Sequence, residues 1–159
     1  SAGAPNIHPS ADSYQEIGFR MARGWSDLYE KGQVSRIRPL RAVQEGDLRV
    51  VVQFDVPTAP LILNTTRVPA ATNHGFKLLD STGTVPFSLI TLTGSSVVFL
   101  ASRAITGALE VRYGLDYNTT PWINGAGGNL TDSTTDAVWI SATQRVLSHW
   151  CPAFKMARS

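Results

Sequence analysis

The chain has 159 residues, 43% of them hydrophobic, with 14 lysines and arginines against 12 aspartates and glutamates for a formal net charge of +2. That length buries one core without staples, and charges spread this evenly exclude the basic footprint of a nucleic-acid binder or a polybasic membrane anchor. No apolar run approaches the roughly 18 residues of a membrane span, and the lone Cys151 excludes an internal disulfide or a cysteine metal cluster.

The first predicted element is a helix. Tyr14, Ile17, Met21, Trp25 and Leu28 fall at steps of three, four, four and three, which makes one apolar stripe on an α-helix. Ser10 or Asp12 caps its start and Gly32 ends it. The stripe is expected to pack on the rest of the chain, because otherwise it is exposed apolar surface. His8 stands on the loop just before this helix, and by itself it reads as a polar residue at a helix entry.

The block NIHPSADSYQEIGFRMARGW, Asn6 to Trp25, joins His8-Pro9-Ser10 to the run Ile17-Gly18-Phe19-Arg20-Met21-Ala22. It resembles the closing block of the SGNH (GDSL-like) hydrolases. The resemblance implies that residues 1–32 are the last element of an otherwise absent esterase domain. It also implies that His8 is the general base of a Ser-His-Asp triad in an intact parent, one that removes O-acetyl groups from a glycan. Pro5 stands where that family carries the aspartate that orients the ring, and proline has no carboxylate to fix the tautomer. No Gly-Asp-Ser nucleophile block is present, so this chain alone is expected to be inactive, and no metal or cofactor is implied.

Residues 33–42 read as a linker running into a first edge strand, and Arg36, Arg38 and Arg41 read as its solvated edge in preference to an anionic-ligand patch. The period then switches to two. Leu48, Val50, Val52, Phe54 and Val56 point one way, and Arg49, Val51, Gln53 and Asp55 the other, between the turn Glu45-Gly46-Asp47 and Pro57. Short strands follow at 61–64, 75–80, 87–93, 96–101 and 108–113, with Ser81-Thr82-Gly83-Thr84 and Thr93-Gly94-Ser95 as turns. Such spacing predicts a mainly β protein: an antiparallel β-sandwich over 43–159, preceded by one amphipathic α-helix.

The run from His74 to Gly114 pairs a Gly-Phe strand and an Asp-Ser-x-Gly turn with a final strand ending Arg112-Tyr113-Gly114. It is similar to the fibronectin-III-like or jelly-roll sandwich that follows the hydrolase domain in some phage-encoded SGNH esterases. Gly128-Asn129-Leu130-Thr131-Asp132-Ser133 resembles a segment near the end of the same proteins, where it precedes a Trp-containing terminus, as His149-Trp150-Cys151 does here.

The stretch 115–136 is a long loop without periodicity. Tyr117, Asn118, Trp122, Asn124, Asn129 and Asp132, with Trp139 beyond it, supply aromatic faces, amides and a carboxylate. A sugar-binding surface needs those groups, since pyranose faces stack on rings and hydroxyls pair with amides and carboxylates. The other reading is that Trp122 and Trp139 only cover the core.

Three functional readings therefore stand side by side. The first is a carbohydrate- or receptor-binding accessory module of a phage tail or tailspike-like esterase, located in the virion tail or outside the cell and contacting bacterial surface polysaccharide. The second is a structural module that makes a homo-oligomer, a trimer in a tail protein, with Trp150, Pro152 and Phe154 as anchors. An esterase fragment using His8 is the third reading. The three histidines show no metal-ligand spacing, and the glycines 125–128 follow no phosphate-loop pattern.

Overall fold

The structure, a computed structural model, describes residues 10–115 and 127–158. It is a β-sandwich with one helix docked on its flank. Helix α1 spans Ala11–Lys31; Ser10 caps it by accepting the Ser13 N–H, and Gly32 ends it in the left-handed region at φ 71° with its N–H donating to the Leu28 carbonyl.

The strands are β1 (Arg38–Glu45), β2 (Arg49–Asp55), β3 (Ile62–Leu63), β4 (Phe76–Asp80), β5 (Gly83–Val85), β6 (Phe87–Thr93) and β7 (Ser96–Ala101). They continue as β8 (Glu110–Tyr113), β9 (Leu130–Thr131), β10 (Ala137–Ile140), β11 (Thr143–Val146) and β12 (Phe154–Ala157). One four-stranded sheet has the order β1-β2-β7-β6, the other β12-β8-β4-β5, and all their pairings are antiparallel. The pairs β3-β9 and β10-β11 stand beside them.

Alternation builds the core as expected. Val50, Val52 and Phe54 of β2, with Val97 and Phe99 of β7, meet Phe76 and Leu78 of β4 and Val111 and Tyr113 of β8. Each such buried side chain contributes about 1.5 to 3 kcal/mol. The sheets are keyed together by rings: Phe76 lies edge-on to Phe99 at 5.0 Å and tilted on Tyr113 at 4.7 Å, while Phe54 meets Phe154 at 5.7 Å. Phe154, expected to anchor an interface, thus packs inside its own chain, because β12 pairs with β8 and turns the ring onto Tyr113.

The helix docks, but not by its apolar stripe. Tyr14 (56% exposed), Met21 (62%) and Trp25 (70%) face outward with Ile17 and Leu28. The polar side does the seating. Asp12 accepts from the Ser141 hydroxyl at 2.6 Å and from Arg145 at 2.9 Å, and the Ser141 N–H donates to the Gln15 side chain at 3.2 Å. Glu16 pairs with Arg67 at 2.6 Å, Arg20 donates to the Ser148 carbonyl at 2.8 Å, and Arg23 donates to the Leu147 carbonyl. Asp27 accepts the Ser35 N–H at 3.0 Å.

The expectation that the stripe packs on the sandwich is therefore reversed. The β10-β11 hairpin and the Leu147-Ser148 strap present carbonyls and charges, which only the polar face can satisfy. Exposed ion pairs contribute about 0–1 kcal/mol each, but Asp27 is only 6% exposed and sits in a closed network. The Lys31 ammonium and then the Ser35 bonds hold its carboxyl at about 2 against the opposing effect of burial.

Candidate functional site

Of the residues expected to touch a sugar, Tyr117, Asn118, Trp122 and Asn124 lie outside the described residues, as does His8. Asn129, Asp132 and Trp139 lie within them. Asn129 flanks β9 and is fully buried. Its side-chain oxygen accepts the Ala71 N–H at 2.8 Å, and its amide donates to the carbonyls of Asn64 (3.2 Å) and Pro69 (3.1 Å). An amide spent on three backbone groups is a rivet for the 64–71 loop, and none of these bonds leaves it turned toward a ligand.

Asp132 is also fully buried. One carboxylate oxygen accepts the His149 backbone N–H at 2.9 Å and the other bonds His149 Nδ1 at 2.7 Å, while the Asp132 N–H donates to the His149 carbonyl at 3.1 Å. Burial works to raise this carboxyl, but the His149 bonds outweigh it and hold the group below the ordinary carboxylate range. Asp132 is thus a carboxylate, and Nδ1 carries the proton that it receives. His149 Nε2 is buried with no hydrogen-bond partner.

An aspartate fixing a histidine by Nδ1, with Nε2 unbonded, is the orienting half of an acid-base unit. Among the described residues no hydroxyl or thiol bonds that Nε2, so the pair has no nucleophile there. Cys151, two residues on, is buried and its thiol is pushed up to about 12 by desolvation, which leaves it inert.

No family model, curated protein or solved structure matches the chain. What the site can do therefore rests on its own groups.

Trp139 does not cover the core; it is 66% exposed. It faces Gln144 across the β10-β11 hairpin, and Ala137 faces Val146 in the same register, so Trp139, Gln144 and Val146 share the outward side. Gln144 and Val146 also line a groove, together with Asn64, Arg67, Thr134 and Arg145.

A second depression lies beside the docked helix. Arg20, Arg23 and Glu16 of α1, Ser35 and Arg36 of the following segment, and His149-Trp150 line it. Arg20, Arg23 and His149 were not singled out as site residues from the sequence, whereas Arg36 was weighed there with Arg38 and Arg41 as an anionic-ligand patch. The helix brings Arg20 and Arg23 together one turn apart, but nothing local in the sequence places them beside position 149. No helix among the described residues is long and apolar enough to cross a membrane.

Proposed function

We propose that this chain is an assembly module, in which copies associate through the outward face of α1. The observation that carries this reading is the inversion of the helix: its charged face is consumed by its own sandwich, and an uncharged stripe of Tyr14, Ile17, Met21, Trp25 and Leu28 is presented to solvent. Steps of three and four are those of a coiled-coil seam, which matches best a second copy of itself. The docked helix is already ordered, so association costs little further conformational entropy. The parent protein we infer is of the phage-tail SGNH-esterase kind that the N-terminal block resembles, where repeated copies present one surface to a cell envelope.

Sedimentation velocity at tens of micromolar is expected to give an oligomer. Replacing Met21→Glu and Trp25→Glu together weakens association by at least about 100-fold, since two buried anchors each contribute about 2 kcal/mol or more and 1.4 kcal/mol is tenfold. The same pair leaves the melting temperature of the isolated fold nearly unchanged, because neither side chain is buried within it. A monomeric chain at that concentration overturns the reading.

A second reading, contact with a surface polysaccharide, is favoured by the exposed Trp139 ring beside the Gln144 amide. Calorimetric titration with acetylated and deacetylated bacterial polysaccharides is expected to show saturable binding that Trp139→Ala weakens at least about tenfold, the loss expected of an aromatic anchor. Absence of heat from the folded protein with every glycan removes it.

A further inference from the structure

We propose that the depression between α1 and the His149-Trp150 segment binds the anionic group of an acidic saccharide, a uronate carboxylate or a sugar phosphate. This site is separate from the outward face of α1 and does not depend on assembly.

Two guanidinium groups with unused donors line it, those of Arg36 and Arg23. Arg36 is exposed and makes no hydrogen bond or ion pair among the described residues. Its neighbours along the chain differ: Arg38 is paired with Asp55 and Arg41 with Gln53 across β1-β2. Those two are the solvated strand edge that the sequence suggests, and Arg36 is not part of it.

Arg23 is half-buried and gives one guanidinium nitrogen to the Leu147 carbonyl, with no carboxylate in ion-pair distance among the described residues. Burial and then the adjacent Arg20 pull its pKa down, while Asp132, Asp27 and Asp136 act more weakly in the opposite sense. A cation in that position is stabilised by an incoming anion. His149 is nine-tenths buried and lines the same depression as a fixed wall, its ring held through Nδ1 by Asp132 and its Nε2 itself buried.

The one acid on the lining, Glu16, is already engaged by Arg20 at 2.7 Å and Arg67 at 2.6 Å, so it leaves the positive excess in place. Trp150 adds an aromatic wall. Arginine forks suit the planar oxygens of carboxylate and the oxygens of phosphate, and a ring beside them suits the sugar that carries the charge.

The test is titration of the full chain, followed by heteronuclear NMR, with glucuronate, glucose 6-phosphate, glucose and inorganic phosphate. The expected result is saturable binding of glucuronate or glucose 6-phosphate, with shifts at the backbone amides of residues 35–36 and 149–150, and no saturation with glucose. Arg36→Gln, which breaks no contact of the fold, weakens that binding at least about tenfold, the loss of one charge-assisted fork. Arg23→Gln weakens it similarly. Which of the two charged sugars binds more tightly identifies the group. The proposal is overturned if neither charged sugar saturates, if glucose binds equally, if inorganic phosphate alone binds, or if Arg36→Gln leaves the affinity unchanged.

Discussion

Gly128→Ala destabilises the protein by about 3 to 5 kcal/mol, the sum of an overpacked core and an orphaned backbone donor. A Cβ at this position lies 2.4 Å from the ring carbon and the hydroxyl oxygen of Tyr113. That ring cannot withdraw. It is 2% exposed, with Phe76 at 4.7 Å on one side and Phe154 stacked at 5.6 Å on another. Its hydroxyl accepts the Leu130 N–H at 2.8 Å, so moving the ring also leaves a buried N–H without a partner. Guanidinium denaturation of the two proteins checks this through the shift in midpoint at unchanged slope. Tyr113→Phe is the control: it removes the acceptor without the clash and costs only about 1 to 3 kcal/mol, the desolvation penalty of the orphaned donor. Equal losses in the two variants mean that packing at Gly128 contributes nothing.

Strands β4, β6, β7 and β8 were legible because their alternation is clean: Leu78, Val97, Phe99 and Val111 each fall where a period of two puts them inside, whereas β5 was not, since Gly83 and Thr84 read as part of the turn and instead pair with Asp80 and Leu79. The strands after Gly114 were not. The β10-β11 hairpin turns at Ser141-Ala142, with Ser141 itself at φ 53°, and so lacks the Gly or Asn that signals a tight turn. β12 is four residues long, and inward Phe154 and Met156 are too few to fix a period.

The helix shows a different limit. Its stripe and both caps were readable, yet periodicity reports which side is apolar and not which side meets the neighbour. The partners that decided the question, Ser141, Arg145, Leu147 and Ser148, come from near the other end of the chain. For the same reason the polar residues Asn129 and Asp132 read as ligand groups: nothing local marks them as buried, since their partners at 64–71 and 149 are distant in sequence.

Asp132→Ala is expected to cost about 2 to 6 kcal/mol at neutral pH, because two buried donors lose their acceptor at about 1 to 3 kcal/mol each. The loss leaves both the His149 backbone N–H and ring Nδ1 inside without an acceptor. Asp132→Asn costs less, about 1 to 2 kcal/mol, because its oxygen still takes the backbone N–H and its amide donates to Nδ1 once the ring proton moves to Nε2.

These two variants also isolate the pH dependence. The folded pKa of Asp132 lies below its unfolded value, so its contribution is fully present above about pH 4 and is lost as pH falls through the folded value. Asp27, held low by Lys31, and Asp80, held low by Arg103, lose their contributions in acid too, but they do so in every variant. The difference between the parent chain and Asp132→Asn cancels them. Denaturation at pH 7 and at successive values below 4 is therefore expected to show that difference shrinking only in the acid range. A difference that stays constant to pH 2 means that the carboxylate charge does not stabilise the His149 segment, and with it the wall of the depression beside α1.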